Sequence, residues 1–277
     1  MFLTIVALFV RIISNPLANF YQKLAGRFDS SISINLYSSF FMALFCLPFL
    51  FFIDWSAFGF NFYILALFAG LLCFLGTICL IKALSIGEMS VLGPVNSYKS
   101  IIGLLGAFFI LGEIPSIRAL FGFILIISAS FLFPVYEGGF SINKSVLFRF
   151  LALLFTGLEA VILKKIILMS SPFVSFVLWC YTGFIFSFLF AFICKKVSLK
   201  NKSNLKFCFF IAVLLSLMQI STNIVFKHLD VGLSLSLFQL SSIVSLILGF
   251  GFLNEKGIVK KTTGAIIMIL GSVLILI

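Results

Sequence analysis

Histidine is almost missing from this chain, His228 being the only one. Zinc and haem sites built from protein ligands lean heavily on imidazole, so neither is expected here, and no cofactor is implied. Carboxylates are scarce as well, with eight Asp and Glu in 277 residues, most of them near the ends of apolar segments. An intramembrane enzyme, such as a lipid-modifying transferase, needs converging acid, base, nucleophile or metal groups, and this supply is thin for one. No C-x-x-C pair occurs. Cys46, Cys73, Cys79, Cys180, Cys194 and Cys208 all lie in apolar stretches, where they read as small hydrophobic fillers rather than disulfide or metal ligands. A G-x-x-x-x-G-K-[ST] phosphate loop is absent too, so nucleotide-driven pumping by this chain is not indicated.

What the chain has in excess is apolar surface. Apolar residues make up 62% of it and charged residues 10%, with 39 Phe. Soluble domains carry roughly 45–50% apolar and about 25% charged residues, and no soluble fold hides this much. Lipid must be the main solvent, which makes this a polytopic membrane protein. The net charge of +11 sits mostly at segment ends and in short loops, where Lys and Arg fix topology and meet anionic headgroups. There is no long basic tail, and nucleic acid is not an expected partner.

A helix crossing the hydrocarbon needs about 20 mostly apolar residues. Punctuation by charge, Pro, Gly and Asn predicts ten: 1–22, 31–53, 61–81, 88–111, 115–135, 146–169, 172–194, 206–227, 230–253 and 259–277. The first carries Arg11 within it, then Asn15, Pro16 and Asn19, and reads as a membrane helix rather than a cleavable signal. Connections are short, the longest polar one being the solvated loop 195–206, so no soluble domain is expected.

Polar residues inside these segments are striped. Arg11, Asn15, Asn19 and Lys23 recur every four residues in the first segment; Asn96, Lys99, Ser100, Gly103 and Gly106 share a face of the fourth. Thr156 and Glu159 lie in the sixth, Gln219, Thr222 and Asn223 in the eighth, and Ser236, Gln239, Ser242 and Ser245 in the ninth. The fifth and tenth have little beyond Ser128, Ser130 and Ser272. Polar groups within a membrane face the bundle interior or a wet cavity. The pattern therefore predicts an inner ring of segments 1, 4, 6, 8 and 9, joined by 3, with 5 and 10 towards lipid.

An offset of 142 places Glu113 on Glu255, Lys23 on Lys165, Arg118 on Lys260, Gly122 on Gly264 and Ser130 on Ser272. "KALSIG" (82–87) matches "KHLDVG" (227–232) at an offset of 145. The reading is a duplication, residues 1–135 and 146–277, each of five helices. An odd number per unit inverts one unit relative to the other, the plan of many secondary transporters. Glu113 and Glu255 read as corner residues, and Lys82 and Lys227 as anchors snorkelling at segment ends.

Each unit ends in a helix, a "LGE" or "LNE" corner and a Gly-bearing apolar helix ("RALFGFILIISASFLF", "KKTTGAIIMILGSVLILI"). In this the chain resembles the EamA-type members of the drug/metabolite transporter superfamily, most specifically over 83–116. The resemblance implies an all-α, ten-helix transporter of metabolites or amino acids in the cytoplasmic membrane, working by alternating access. It says little about cargo, direction, coupling ion or oligomeric state.

Arg11, Lys99 and Glu159 fall near the middle of their segments, where each costs about 2.5–3.5 kcal/mol on insertion scales and so calls for a partner or water. Two bases and one acid leave an excess of positive charge at the midplane, where such folds bind substrate. One reading is a substrate site. Lys99 with Arg11 receives an anionic group of a small anionic or zwitterionic metabolite, Glu159 pairs with one of them or takes up a proton, and Asn15, Asn96, Tyr98, Gln219, Asn223 and Gln239 supply neutral hydrogen bonds. The competing reading is a structural ion pair between Glu159 and Lys99 or Arg11. A scaffold or receptor that transports nothing is the remaining alternative, and buried charge gains it nothing.

Two arguments about orientation conflict. Loops on one side carry 13 Lys and Arg against 4 on the other, which puts both termini outside, whereas the family resemblance implies both inside.

Overall fold

In lipid a run of apolar residues satisfies its backbone groups by coiling into a helix, and helices make up nearly all of what the computed structural model describes: residues 2–111, 116–130, 136–137, 141–194 and 203–274. The first half holds α1 (Phe2–Ala25), α2 (Ser31–Cys46), α3 (Phe60–Ile86), α4 (Met89–Val95), α5 (Tyr98–Leu111) and α6 (Ile117–Ser130). The second holds α7 (Lys144–Met169), α8 (Pro172–Cys194), α9 (Ser203–His228), α10 (Val231–Leu237), α11 (Ser241–Phe252) and α12 (Ile258–Leu274). A short antiparallel pairing of Tyr136–Glu137 (β1) with Ser141–Ile142 (β2) precedes α7. Among the described residues side-chain caps precede α2, α7 and α8: Ser30 Oγ accepts from the Ser33 amide at 3.2 Å, Asn143 Oδ1 from the Ser145 amide at 2.9 Å, and Ser171 Oγ from the Val174 amide at 3.1 Å. Glu113 and the greater part of the 195–206 loop lie outside the described residues.

Among the described residues, seven helical stretches are long and apolar enough to cross a membrane: Phe2–Ala25, Ser31–Phe52, Phe60–Ile86, Lys144–Met169, Pro172–Cys194, Asn204–His228 and Val231–Phe252. Their exposed positions are large and apolar, Phe2 and Phe51 being more than four-fifths exposed, while Arg11, Arg149, Glu159 and Asn223 are buried. Polar inside and greasy outside is the inverse of a soluble fold.

Two of the predicted segments are broken rather than continuous. Pro94 has no N–H to give the carbonyl four residues back, so α4 stops, and the chain tightens through i−3 bonds from Asn96 to Gly93 and Ser97 to Pro94 before α5 starts. In the second half α10 and α11 are separated by a 3-10 turn, Phe238–Leu240. An offset of 142 carries Asn96 onto Phe238, so the breaks occupy repeat-related positions.

Packing repeats the same symmetry. α1 lies along α9 and α3 along α7; α2 meets α8, α6 meets α12, α4 meets α11 and α5 meets α10. Exchanging the halves, α1 for α7 through α6 for α12, maps each pairing onto another or onto itself. Small residues allow these approaches. A Cβ on Gly93 of α4 falls 2.5 Å from Ser245 Cβ of α11, and one on Gly70 of α3 falls 2.4 Å from Thr182 Cβ and 3.1 Å from its backbone carbon in α8. Because backbone cannot swing aside, Gly70→Ala is expected to cost about 1–3 kcal/mol by overpacking. Thermal melting in detergent checks it, and an unchanged midpoint sinks it.

Candidate functional site: a basic cavity between the halves

A cavity of about 100 Å³ opens where the two halves meet. α1 contributes Arg11, Asn15, Asn19 and Gln22; α3 contributes Cys73, Thr77 and Leu80; Lys99 lies in the first turn of α5, with Asn96 just before that helix. From the other half come Arg149, Thr156 and Glu159 of α7, Trp179 of α8, Gln219 and Thr222 of α9, and Leu235 and Phe238 at the second break. Among the described residues, α6 and α12 contribute nothing to the lining.

The acid is held by an aromatic. Trp179 Nε1 donates to Glu159 Oε1 at 2.7 Å. Lys99 makes no ion pair within 4 Å and no hydrogen bond through its side chain among the described residues, so the Lys99–Glu159 contact of the ion-pair reading is not formed. Arg11 points Nε at Thr222 Oγ1 (2.9 Å), lays its guanidinium 4.7 Å from the centre of the Phe238 ring, and leaves Nη1 buried without a hydrogen-bond partner. Asn19 Oδ1 and Gln22 Oε1 are likewise buried without partners.

Arg149 was not among the residues expected here. Read from sequence it stands three residues inside the edge of a predicted segment, where basic residues ordinarily fix topology. The helix starts earlier, at Lys144, and Arg149 turns inward onto the first break: Nε donates to Leu92 O at 3.1 Å and Nη2 to Asn96 Oδ1 at 2.7 Å. The missed signal is helical spacing, since Arg149, Thr156 and Glu159 sit seven and then three residues apart on one face. Trp179 carries no such signal, for its indole N–H lies in an otherwise apolar stretch.

Of the nine residues expected at the site, Arg11, Asn15, Asn96, Lys99, Glu159 and Gln219 line the cavity. Three do not. Tyr98 packs edge-on to Phe150 with ring centres 4.9 Å apart. Asn223 braces α9 to α8, donating to Pro172 O at 3.0 Å and accepting from Gln219 at 2.9 Å. Gln239 ties the two breaks together, accepting from Asn96 Nδ2 at 3.2 Å and donating to Leu235 O at 3.0 Å.

A second polar cluster joins the halves at one end of the bundle. Glu255, beyond α11, accepts from the Met89 and Ser90 amides at 2.7 Å each, capping α4, and lies 3.6 Å from Lys23 Nζ. Lys23 also donates to the carbonyls of Gly87 and of Leu84, the latter at 3.4 Å. Lys261 pairs with Glu88 and donates to Ser90 Oγ at 3.0 Å. At the other end Lys164 donates to the carbonyls of Phe226 and Leu229. These carbonyls are the 142-offset equivalents of Leu84 and Gly87, so Lys164 plays the part of Lys23, while Lys165, aligned with it by sequence, is exposed.

Residues 3–134 match the EamA-like transporter family, and residues 143–277 match it a second time. The chain belongs to the EamA-like transporter family. It is a multi-pass membrane protein built of two EamA units, and the family's members are transporters. A solved crystal structure 14% identical to this EamA protein aligns over 99% of this chain and 98% of that chain, with a TM-score of 0.69. At that identity the likeness speaks for fold alone. No curated protein matches the EamA chain.

Proposed function

We propose that this protein is a secondary active transporter of the cytoplasmic membrane, exporting small metabolites that carry an anionic group, such as amino acids or organic acids. Its ten crossings form two inverted five-helix repeats, 1–135 and 146–277, that rock about the central cavity. Broken helices at the repeat interface are how such transporters expose backbone and side-chain groups to cargo at mid-membrane. The packing that maps onto itself when the halves are exchanged supports this arrangement. The carrying observation is the cavity's lining, in which Arg11, Lys99 and Arg149 face Glu159 as the only carboxylate among the described residues. Lys99 serves as the principal receptor for the anionic group, and Glu159 as the group that exchanges a proton during the cycle.

Comparative metabolite profiling of cells lacking and overproducing the protein identifies the cargo, and flux in liposomes then tests the residues. Lys99→Ala is expected to lower initial rates by roughly tenfold to a hundredfold, the worth of one charge-assisted hydrogen bond. Glu159→Gln retains an amide oxygen to accept from Trp179, so it is expected to fold and still carry cargo down its gradient, yet lose acceleration by a pH gradient. Wild-type behaviour of both variants removes the site assignment, and a flat profile for small metabolites removes the exporter reading.

A further inference from the structure

The two arginines of the cavity are arranged reciprocally. Arg11, in the first half, stacks on Phe238 at the break of the second half; Arg149, in the second half, grips Leu92 O and Asn96 Oδ1 at the break of the first. Each half thus lends a guanidinium to the other half's broken helix. Their sequence positions are not repeat-related, because the 142 offset carries Arg11 onto Leu153 and Arg149 onto Ala7. The reciprocity is one of placement.

Charge around the cavity does not balance. Arg11 is 7% exposed and Arg149 5%, Lys99 is half-buried, and together they face Glu159 alone among the described carboxylates. Buried charge is strongly unfavourable unless paired. Glu159, already bonded by Trp179, offsets one of the three. Two positive charges remain, together with a buried guanidinium nitrogen, Arg11 Nη1, that has no acceptor among the described residues. The neutral groups nearby, Asn19 Oδ1 and Gln22 Oε1, are acceptors without donors, suited to a hydroxyl on the cargo.

Resting on the transporter reading above and narrowing its cargo from amino acids to organic acids, we propose that the preferred cargo is a small dianion bearing a hydroxyl, one anionic group held by Arg11 with Lys99 and the other by Arg149. A dicarboxylate and a phosphate monoester share that chemistry. A single carboxylate leaves one cation unmatched, and a zwitterion adds a positive charge where positive charge is already in excess.

The test separates charge selectivity from transport. Purified protein is melted at neutral pH with malate, glycerol phosphate, lactate, alanine or chloride, and the same solutes are assayed for flux in proteoliposomes. The dianions are expected to raise the melting midpoint well above the effect of lactate, alanine or chloride. Lys99→Met is the variant least able to disturb the fold, because Lys99 makes no side-chain hydrogen bond among the described residues; it is expected to weaken dianion binding roughly tenfold to a hundredfold and lactate binding far less. Arg11→Gln is expected to do the same. Lactate or alanine stabilising as strongly as the dianions, no dianion exceeding chloride, or loss of dianion and lactate binding in equal proportion overturns the proposal. Binding of dianions without flux of any solute leaves the charge selectivity standing and overturns the transporter reading instead.

Discussion

Arg149→Ala is expected to reduce transport by about a hundredfold and to destabilise the bundle as well, a double penalty set by where the guanidinium reaches. Its Nε and Nη2 satisfy Leu92 O and Asn96 Oδ1 at the break between α4 and α5. Pro94 and the tightened turn behind it deny Leu92 O its usual helical donor, since the Asn96 amide bonds Gly93 instead. Alanine leaves both acceptors unpaired at a cost of about 1–3 kcal/mol each. It also removes one of three cations from the cavity lining. Arg149→Lys separates the two effects. Lysine keeps the charge but lacks the planar fork, so it reaches one acceptor where arginine reaches two. Transport is expected to recover further than the melting midpoint does. Flux in proteoliposomes, normalised to protein that elutes monodisperse from detergent, measures the first, and thermal melting the second. Equal and complete rescue of both by lysine means the fork does nothing at the break.

Why the sequence revealed some of this site and hid the rest comes down to what a charge costs at each depth. Arg11, Lys99 and Glu159 stand out because a mid-segment charge is expensive, and all three line the cavity. Arg149 hides because a basic residue near a segment end is cheap and common. The stripe on α1 shows a subtler failure. Arg11, Asn15, Asn19 and Lys23 recur every four residues, but each step of four overshoots a full turn by about 40°, so Lys23 has rotated by about 120° from Arg11. Gln22 therefore lines the cavity, and Lys23 faces Glu255 and Gly87 instead. The repeat was legible from its spacing, although the Lys anchor fell one residue off, since Lys164 rather than Lys165 answers to Lys23, and the family model matches both units. The break after Val95 was foreshadowed by Pro94, whereas the one at Phe238–Leu240 has no proline or glycine, and nothing local marks it. Tyr98, Asn223 and Gln239 share the polar faces but pack or bridge one residue away from the lumen. Periodicity assigns a face and does not resolve cavity from brace.

Glu255→Ala is expected to be the most disruptive single change at the end of the bundle where Lys23 and Lys261 cluster. One carboxylate there closes three gaps between the halves: it accepts from the Met89 and Ser90 amides at the start of α4 and faces Lys23 across 3.6 Å. The corner that delivers it is built for the purpose. Asn254 adopts φ 53° and Gly257 φ 80°, and the Glu255 amide returns to Gly249 O at 3.1 Å. A Cβ at Gly249 falls 2.6 Å from Glu255 Oε2, so only glycine lets the carboxylate lie against α11. Removing one partner of a buried charged pair costs about 3–5 kcal/mol, and here two helix N–H groups are orphaned with it. Because these contacts join the halves, their loss is expected to favour the state in which this end of the cavity is open. A single cysteine placed at Thr77, in a background lacking the native cysteines, reports on it. Modification by a membrane-impermeant maleimide from this face is expected to rise severalfold in Glu255→Ala. Glu255→Gln, which retains one acceptor oxygen, is expected to fall between wild type and alanine. If alanine lowers the melting midpoint while leaving labelling at the wild-type rate, the carboxylate is a cap on α4 and does not hold the halves together.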